Sequence, residues 1–114
     1  MLAIQGYIDW PIELRDEMRP ILSALAERTR QDEGCITYWY AEDLDHPGRF
    51  RFFEAWESQA TFDAHRSADY EYEFMEKHIS RAVGASALEF GLSSVKSLDS
   101  EVPADSAGAS EGGA

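Results

Sequence analysis

The chain of 114 residues contains a single cysteine, Cys35, which excludes an intramolecular disulfide framework and points to a reducing compartment. No His or Asp stands beside Cys35 in sequence, so nothing marks it as an activated nucleophile. Basic residues are scarce: 10 Lys and Arg stand against 22 Asp and Glu, for a formal charge of -12. That balance repels phosphate backbones and anionic headgroups, which removes nucleic acid and membrane surfaces from the expected partners. No apolar run approaches the ~20 residues of a membrane span, and no basic segment leads into an apolar one at the N-terminus. A cytoplasmic location is expected. Gly-rich phosphate loops are missing, and His46, His65 and His78 lack the spacing of a zinc site, so no metal is expected.

What is present is apolar and aromatic mass, 44% and 12% of the residues, enough for the core of one domain. The chain is best read outward from Arg49 to His65, RFRFFEAWESQATFDAH, a strand that turns directly into a helix. In an extended chain Phe50, Phe52, Glu54 and Trp56 share one face, while Arg51, Phe53 and Ala55 share the other. Apolar bulk on both sides predicts a sheet covered on both faces. Ser58 supplies the N-cap of the helix that follows, which brings Trp56 and His65 to the two sides of one corner.

Leu2 to Asp9 reads as a first strand, with Leu2, Ile4, Gly6 and Ile8 on one face, stopped by Trp10 and Pro11. Leu14, Met18, Ile21, Leu22 and Leu25 then recur at helical spacing, predicting a helix from Ile12 to about Gln31 with a bend at Pro20. Gly34 ends it. Cys35 to Ala41 is a second strand with Ile36, Tyr38 and Tyr40 on one face, and Asp43 to Gly48 is the hairpin loop to the third. Ser67 or Asp69 is expected to cap a further helix, carrying columns Tyr70, Phe74, His78, Ala82 and Met75, Ile79, Val83, which Gly84 ends. Ala85 to Val95 is a last strand. The Ser-, Gly-, Ala- and Asp-rich composition of residues 97–114 predicts a disordered acidic tail after a domain of residues 1–96.

Strand, helix, strand, strand, helix pair, strand is the split βαβ order of an α+β, ferredoxin-like fold, a four-stranded antiparallel sheet with helices on one face. The second face carries more apolar surface than monomers usually expose, so a homodimer joined through its sheet faces is expected.

The run DEGCITYWYAEDLDHPGRFRFFEAWESQATFDAHRSADY, followed by FMEKH, resembles the antibiotic biosynthesis monooxygenase (ABM) family. The resemblance spans about Leu2 to Val95. It rests on Asp32-Glu33-Gly34-Cys35 at the helix end, Arg49-Phe50 after the loop, Glu54-Ala55-Trp56-Glu57-Ser58, and Asp63-Ala64-His65. It implies a dimeric α+β barrel with a pocket between sheet and helices in each subunit. It further implies cofactor-independent oxidation of a small aromatic substrate, a quinol, anthrone or related polyketide, by O2. Heme-degrading members carry a strand Asn, a helix Trp and a later helix His. Here Gln5, His65 and Met75 stand in those places, a departure from the heme-cleaving pattern.

Oxygenation without metal or flavin requires a substrate anion, hence a base, a flat pocket and stabilisation of charge. His65 is the candidate base, its ordinary pKa suiting proton removal at neutral pH; otherwise it packs or caps at its helix. Trp56 either stacks on substrate or donates its indole N–H, or it anchors the core. Tyr38, Phe52, Tyr72 and Phe74 are candidate pocket walls. Glu54, on an apolar strand face, needs a partner, expected from Arg51 or from an N–H across the dimer. Two other readings use the same scaffold: an isomerase or cyclase in which His65 shuttles protons, and a non-catalytic module that holds a hydrophobic metabolite.

Overall fold

The structure, a computed structural model, describes residues 1–99; residues 100–114, most of the expected tail, lie outside it. Four strands, β1 (Leu2–Asp9), β2 (Cys35–Glu42), β3 (Arg49–Trp56) and β4 (Gly84–Gly91), form one antiparallel sheet in the order β2-β3-β1-β4. Three helices, α1 (Arg15–Thr29), α2 (Gln59–Arg66) and α3 (Asp69–Lys77), lie between them in sequence. This is the ferredoxin-like plan that the alternation of strand and helix patterns predicts.

Period-two patterning sets the faces. Leu2, Ile4, Ile8, Phe50 and Trp56 are buried beneath the helices. Trp10, Met18, Leu22, Leu25 and Phe74 join Ile8 and Phe50 in one half of the core, while Ala26, Tyr38 and Trp56 join Leu2 and Ile4 in the other. On the opposite face, Trp39 (43% exposed), Leu88 (64%) and Phe90 (42%) remain open, and Trp39 stacks on Phe53 across β2 and β3 with ring centroids 6.0 Å apart.

The central strand β1 contains Gly6 because β4 leaves no room for anything larger. A Cβ there would lie 2.2 Å from the Ser86 carbonyl oxygen and 2.8 Å from Ala87 Cα. Both are backbone atoms, so Gly6→Ala is expected to displace β4 and cost about 1–3 kcal/mol. Denaturant unfolding checks this, and an unchanged midpoint would contradict the close approach of the two strands.

Several local expectations are corrected. The first helix begins as a 3-10 turn, Ile12–Leu14, and α1 ends at Thr29, ahead of Gln31. Pro20, in contrast, sits inside α1 without ending it, as the apolar positions on both sides of it lead one to expect. A register shift between Cys35 and Thr37 leaves Ile36 unpaired and 38% exposed, off the face of Tyr38 and Tyr40. Neither Ser67 nor Asp69 caps α3: Ala68 is its N-cap, without a side-chain bond, and Ser67 Oγ donates back to the Asp63 carbonyl instead. The helix ends at Lys77, before a 3-10 turn at Ile79–Arg81, and β4 stops at Gly91 rather than Val95. Among the described residues no helix is long and apolar enough to cross a membrane.

Candidate functional site

The corner between β3 and α2 is fixed by a reciprocal cap. Ser58 Oγ accepts from the Thr61 N–H at 3.1 Å, and Thr61 Oγ1 accepts from the Ser58 N–H at 3.2 Å. Gly34 makes the neighbouring turn, with φ at +79°, and a Cβ on it would meet Thr61 at 2.5 Å. Held this way, α2 directs His65 back over the strand it has just left.

His65 is buried and stacked on Trp56, with ring centroids 4.9 Å apart and planes 25° from parallel. Tyr38 meets the His65 ring edge-on at 5.8 Å. Trp56 is 0% exposed, and its indole N–H donates to Glu54 Oε1 at 2.8 Å. Its donor is therefore committed inside the protein, and its ring serves as the platform for the imidazole. This also corrects the expected partner of Glu54, since Arg51 points to the other side of the sheet and pairs with Asp43 at 2.6 Å. Burial pushes the Glu54 carboxyl up, against the Trp56 bond and the positive charge of Arg66.

A half-buried polar chain runs through the buried His65. The Tyr70 hydroxyl donates to Asp32 Oδ2, and His65 Nδ1 lies 2.9 Å from that hydroxyl and 3.3 Å from the same carboxylate oxygen. With Tyr70 spending its proton on Asp32, the arrangement is satisfied when Nδ1 carries the imidazole hydrogen, which leaves Nε2 as an acceptor. Nε2 is 3.6 Å from Glu71 Oε2, just beyond hydrogen-bond range. Burial lowers the His65 pKa against the pull of Asp32, with Arg66 and Arg28 adding to the lowering. Burial also pushes Asp32 up, but bonds from Tyr70, Arg28 and His65 outweigh it and hold that carboxyl low.

Glu71, on α3, is the outlier. It is 6% exposed, and its Oε1 has no hydrogen-bond partner among the described residues. Its nearest cation is Arg66, whose Nη1 is 3.9 Å from Oε2. Burial pushes its pKa up to about 7, opposed by Arg66 and reinforced by the negative charges of Glu54 and Asp32. At neutral pH such a carboxyl can either give or accept a proton.

Beside this cluster, between the sheet and the helices, lies a cavity of about 320 Å³. Ile8, Phe52, Met75, Ile79 and Ala87 line it, and Arg66 is its cation. The cluster continues two of its walls: Glu54 follows Phe52 on the same strand face, and Glu71 precedes Met75 by one turn of α3. A second hollow of about 340 Å³, lined by Asp32, Thr61, Ala64 and His65, opens on the far side of α2. Among the described residues no group of three or more His, Cys, Asp or Glu is placed to hold a metal ion.

The structure thus brings together four of the residues proposed from sequence, Tyr38, Glu54, Trp56 and His65, with Phe52 on the cavity wall. It separates two others. Tyr72 is 64% exposed on the outer side of α3, and Phe74 packs in the other half of the core, with its ring 5.6 Å from that of His78. Asp32, Arg66, Tyr70 and Glu71 belong to the cluster and were not singled out. Tyr70 stood in a helical column and Asp32 in the helix-end motif without a site role, while for Glu71 extending the Met75 and Ile79 column back by one turn places a carboxylate on an apolar stripe.

Comparison with known proteins identifies the family and the fold. Residues 1–77 match the family model "Antibiotic biosynthesis monooxygenase". An uncharacterized protein of Synechocystis is 32% identical over 76 residues, 67% of this chain; the chain spans about half the length, 52%, of that curated relative. Among solved structures, a Deinococcus radiodurans protein bearing the same family name superposes with a TM-score of 0.77 at 21% identity, over 86% of this chain and 98% of that one. A Mycobacterium tuberculosis protein gives 0.74 at 21% identity, over 84% of this chain and 98% of that one. At such identities the solved structures speak for the fold, and the family match carries the assignment: the chain belongs to the antibiotic biosynthesis monooxygenase family.

Proposed function

We propose that this protein is a cofactor-independent monooxygenase that oxidises a small aromatic substrate, of the quinol or anthrone kind, with O2. The observation that carries the reading is an apolar cavity adjoining a buried cluster in which a neutral imidazole and a carboxyl of near-neutral pKa lie 3.6 Å apart. Phe52, Met75 and Ile79 accept a flat ring, and the cluster takes its proton. The resulting anion passes electrons to O2. For an anthrone, one oxygen atom enters the ring carbonyl and the other leaves as water with the two methylene hydrogens.

Turnover of an anthrone and a quinol by the purified protein, with and without O2, tests this. Oxygen-dependent product is expected. Product formed equally without O2 would instead favour proton shuffling by an isomerase or cyclase, and binding without product a carrier. His65→Ala is expected to lower turnover by about 10²–10⁴-fold, the usual contribution of a positioned acid or base. Full activity in that variant would remove His65 from the mechanism.

The assembly belongs to the same proposal. Trp39, Phe53, Leu88 and Phe90 form an apolar face that no other part of the described residues covers, and a second copy laid sheet to sheet covers it on both partners at once. Phe53→Glu is expected to weaken the dimer by at least about tenfold, one charge buried in an apolar interface being worth well over 1.4 kcal/mol. Sedimentation across a dilution series reads the result, and a monomeric parent protein would contradict the assembly.

A further inference from the structure

We infer that Arg66 selects the substrate: the cavity takes an aromatic molecule that bears a carboxylate, held by the Arg66 guanidinium while the ring lies on the apolar walls. The inference rests on the cavity reading above and deepens it by naming the ionised group that the ring carries.

Position is the first argument. Of the residues that line the cavity of about 320 Å³, Arg66 alone is charged, among the apolar walls Ile8, Phe52, Met75 and Ile79. Arg66 is the last residue of α2, where a cation complements the carbonyl end of the helix in whatever direction it points. Its direction is inward. The positive charge of Arg66 favours the ionised forms of Tyr40 on β2, Glu54 on β3 and Glu71 on α3, groups from three elements around the space between sheet and helices.

The second argument is the unspent hydrogen-bonding capacity of the guanidinium. Arg28, Arg49, Arg51 and Arg81 each donate to a carboxylate at 2.6–2.8 Å. Among the described residues Arg66 has no such bond: its ion pair with Glu71, Nη1 to Oε2, spans 3.9 Å, too far for a hydrogen bond. In a chain with 22 acidic residues against 10 basic ones, a cation left without a bonded carboxylate beside an apolar hollow is out of pattern. A ligand carboxylate supplies what is missing, because its two oxygens match the planar fork with parallel bonds. A phosphate would bring more charge than one cation meets, and the lining offers no second. The volume lies at the low end of the roughly 300–1,000 Å³ usual for ligand sites, so the ring system is small.

Binding of 2-naphthoate and of 2-naphthamide, probes of nearly the same shape of which only the first is charged at neutral pH, tests this without turnover. The parent protein is expected to bind the carboxylate at least about tenfold more tightly, as a charge-assisted pair of hydrogen bonds provides. Arg66→Gln is expected to erase that difference and leave naphthamide affinity unchanged, and Ala87→Phe, which fills the cavity, to weaken both probes. Equal affinities in the parent would overturn the selection by Arg66 and leave the cavity reading standing. A preference that persists in Arg66→Gln, or naphthoate binding untouched by Ala87→Phe, would place the anion elsewhere and overturn it as well. Failure of both probes to bind the parent would overturn the cavity reading along with it. Should Arg66→Gln fail to fold, Arg66→Lys carries the test: it keeps the charge and loses the fork, so the preference for naphthoate is expected to fall several-fold, and an unchanged preference counts against the assignment.

Discussion

Replacing Trp56 with alanine is expected to destabilise the protein by about 3–5 kcal/mol, near the top of the range for a buried aromatic residue. Two losses combine. A fully buried indole is removed from between Phe62 and the His65 ring, which stacks on it at 4.9 Å, and Glu54 loses the N–H at 2.8 Å that satisfies its carboxylate. Trp56→Phe separates the two, because it keeps most of the apolar volume while stranding Glu54. It is expected to cost about 1–3 kcal/mol, the penalty of leaving a buried acceptor unpaired. Chemical denaturation of both variants gives the comparison. A Trp56→Phe protein as stable as the parent would show that Glu54 finds another donor.

Glu71→Gln is expected to become progressively more stable than the parent as pH rises from about 5 to about 8. The sign follows from the direction of the shift. Glu71 has a pKa of about 7 in the folded protein against an ordinary 4.5, so the fold favours its protonated form. The associated stability is fully present below the ordinary value and is lost as pH rises through the folded one. The whole shift corresponds to on the order of 3 kcal/mol, or roughly ten degrees in melting temperature for a domain of this size. His65 works the other way: its lowered pKa gives stability that is present above its ordinary value and lost as pH falls. The two contributions therefore oppose each other between about pH 5 and 7, and removing the Glu71 contribution leaves Glu71→Gln with a profile that rises with pH relative to the parent. Parallel stability profiles for the two proteins would mean that Glu71 is not held out of water as the structure places it.

Much of this architecture was legible in the residues. Alternation in Leu2 to Asp9 and in Arg49 to Trp56 set both strands and their faces, because a one-residue slip would have exposed Phe50 and Trp56. The juxtaposition of Trp56 and His65 followed from the short connection through Ser58. Tyr72 and Phe74 were misplaced for a different reason: aromatic type does not say which side of a short helix faces a cavity, and Tyr72 falls on the water side of α3. The polar chain from Asp32 through Tyr70 to His65 joins residues up to 38 positions apart, and no local spacing encodes such a contact. Glu71 lay between those extremes. Its place in an apolar column was readable, but a lone acidic residue on a short helix is ordinarily a solvated one, and only the burial of Oε1 sets it apart.

A titration of the Glu71 side-chain carboxyl, followed by carbon-13 NMR in the folded protein, reaches the central claim most directly. The account predicts a midpoint near 7. A midpoint at the ordinary 4.5 would mean a hydrated carboxylate, and the proton chemistry assigned to this corner of the fold would have no group to perform it.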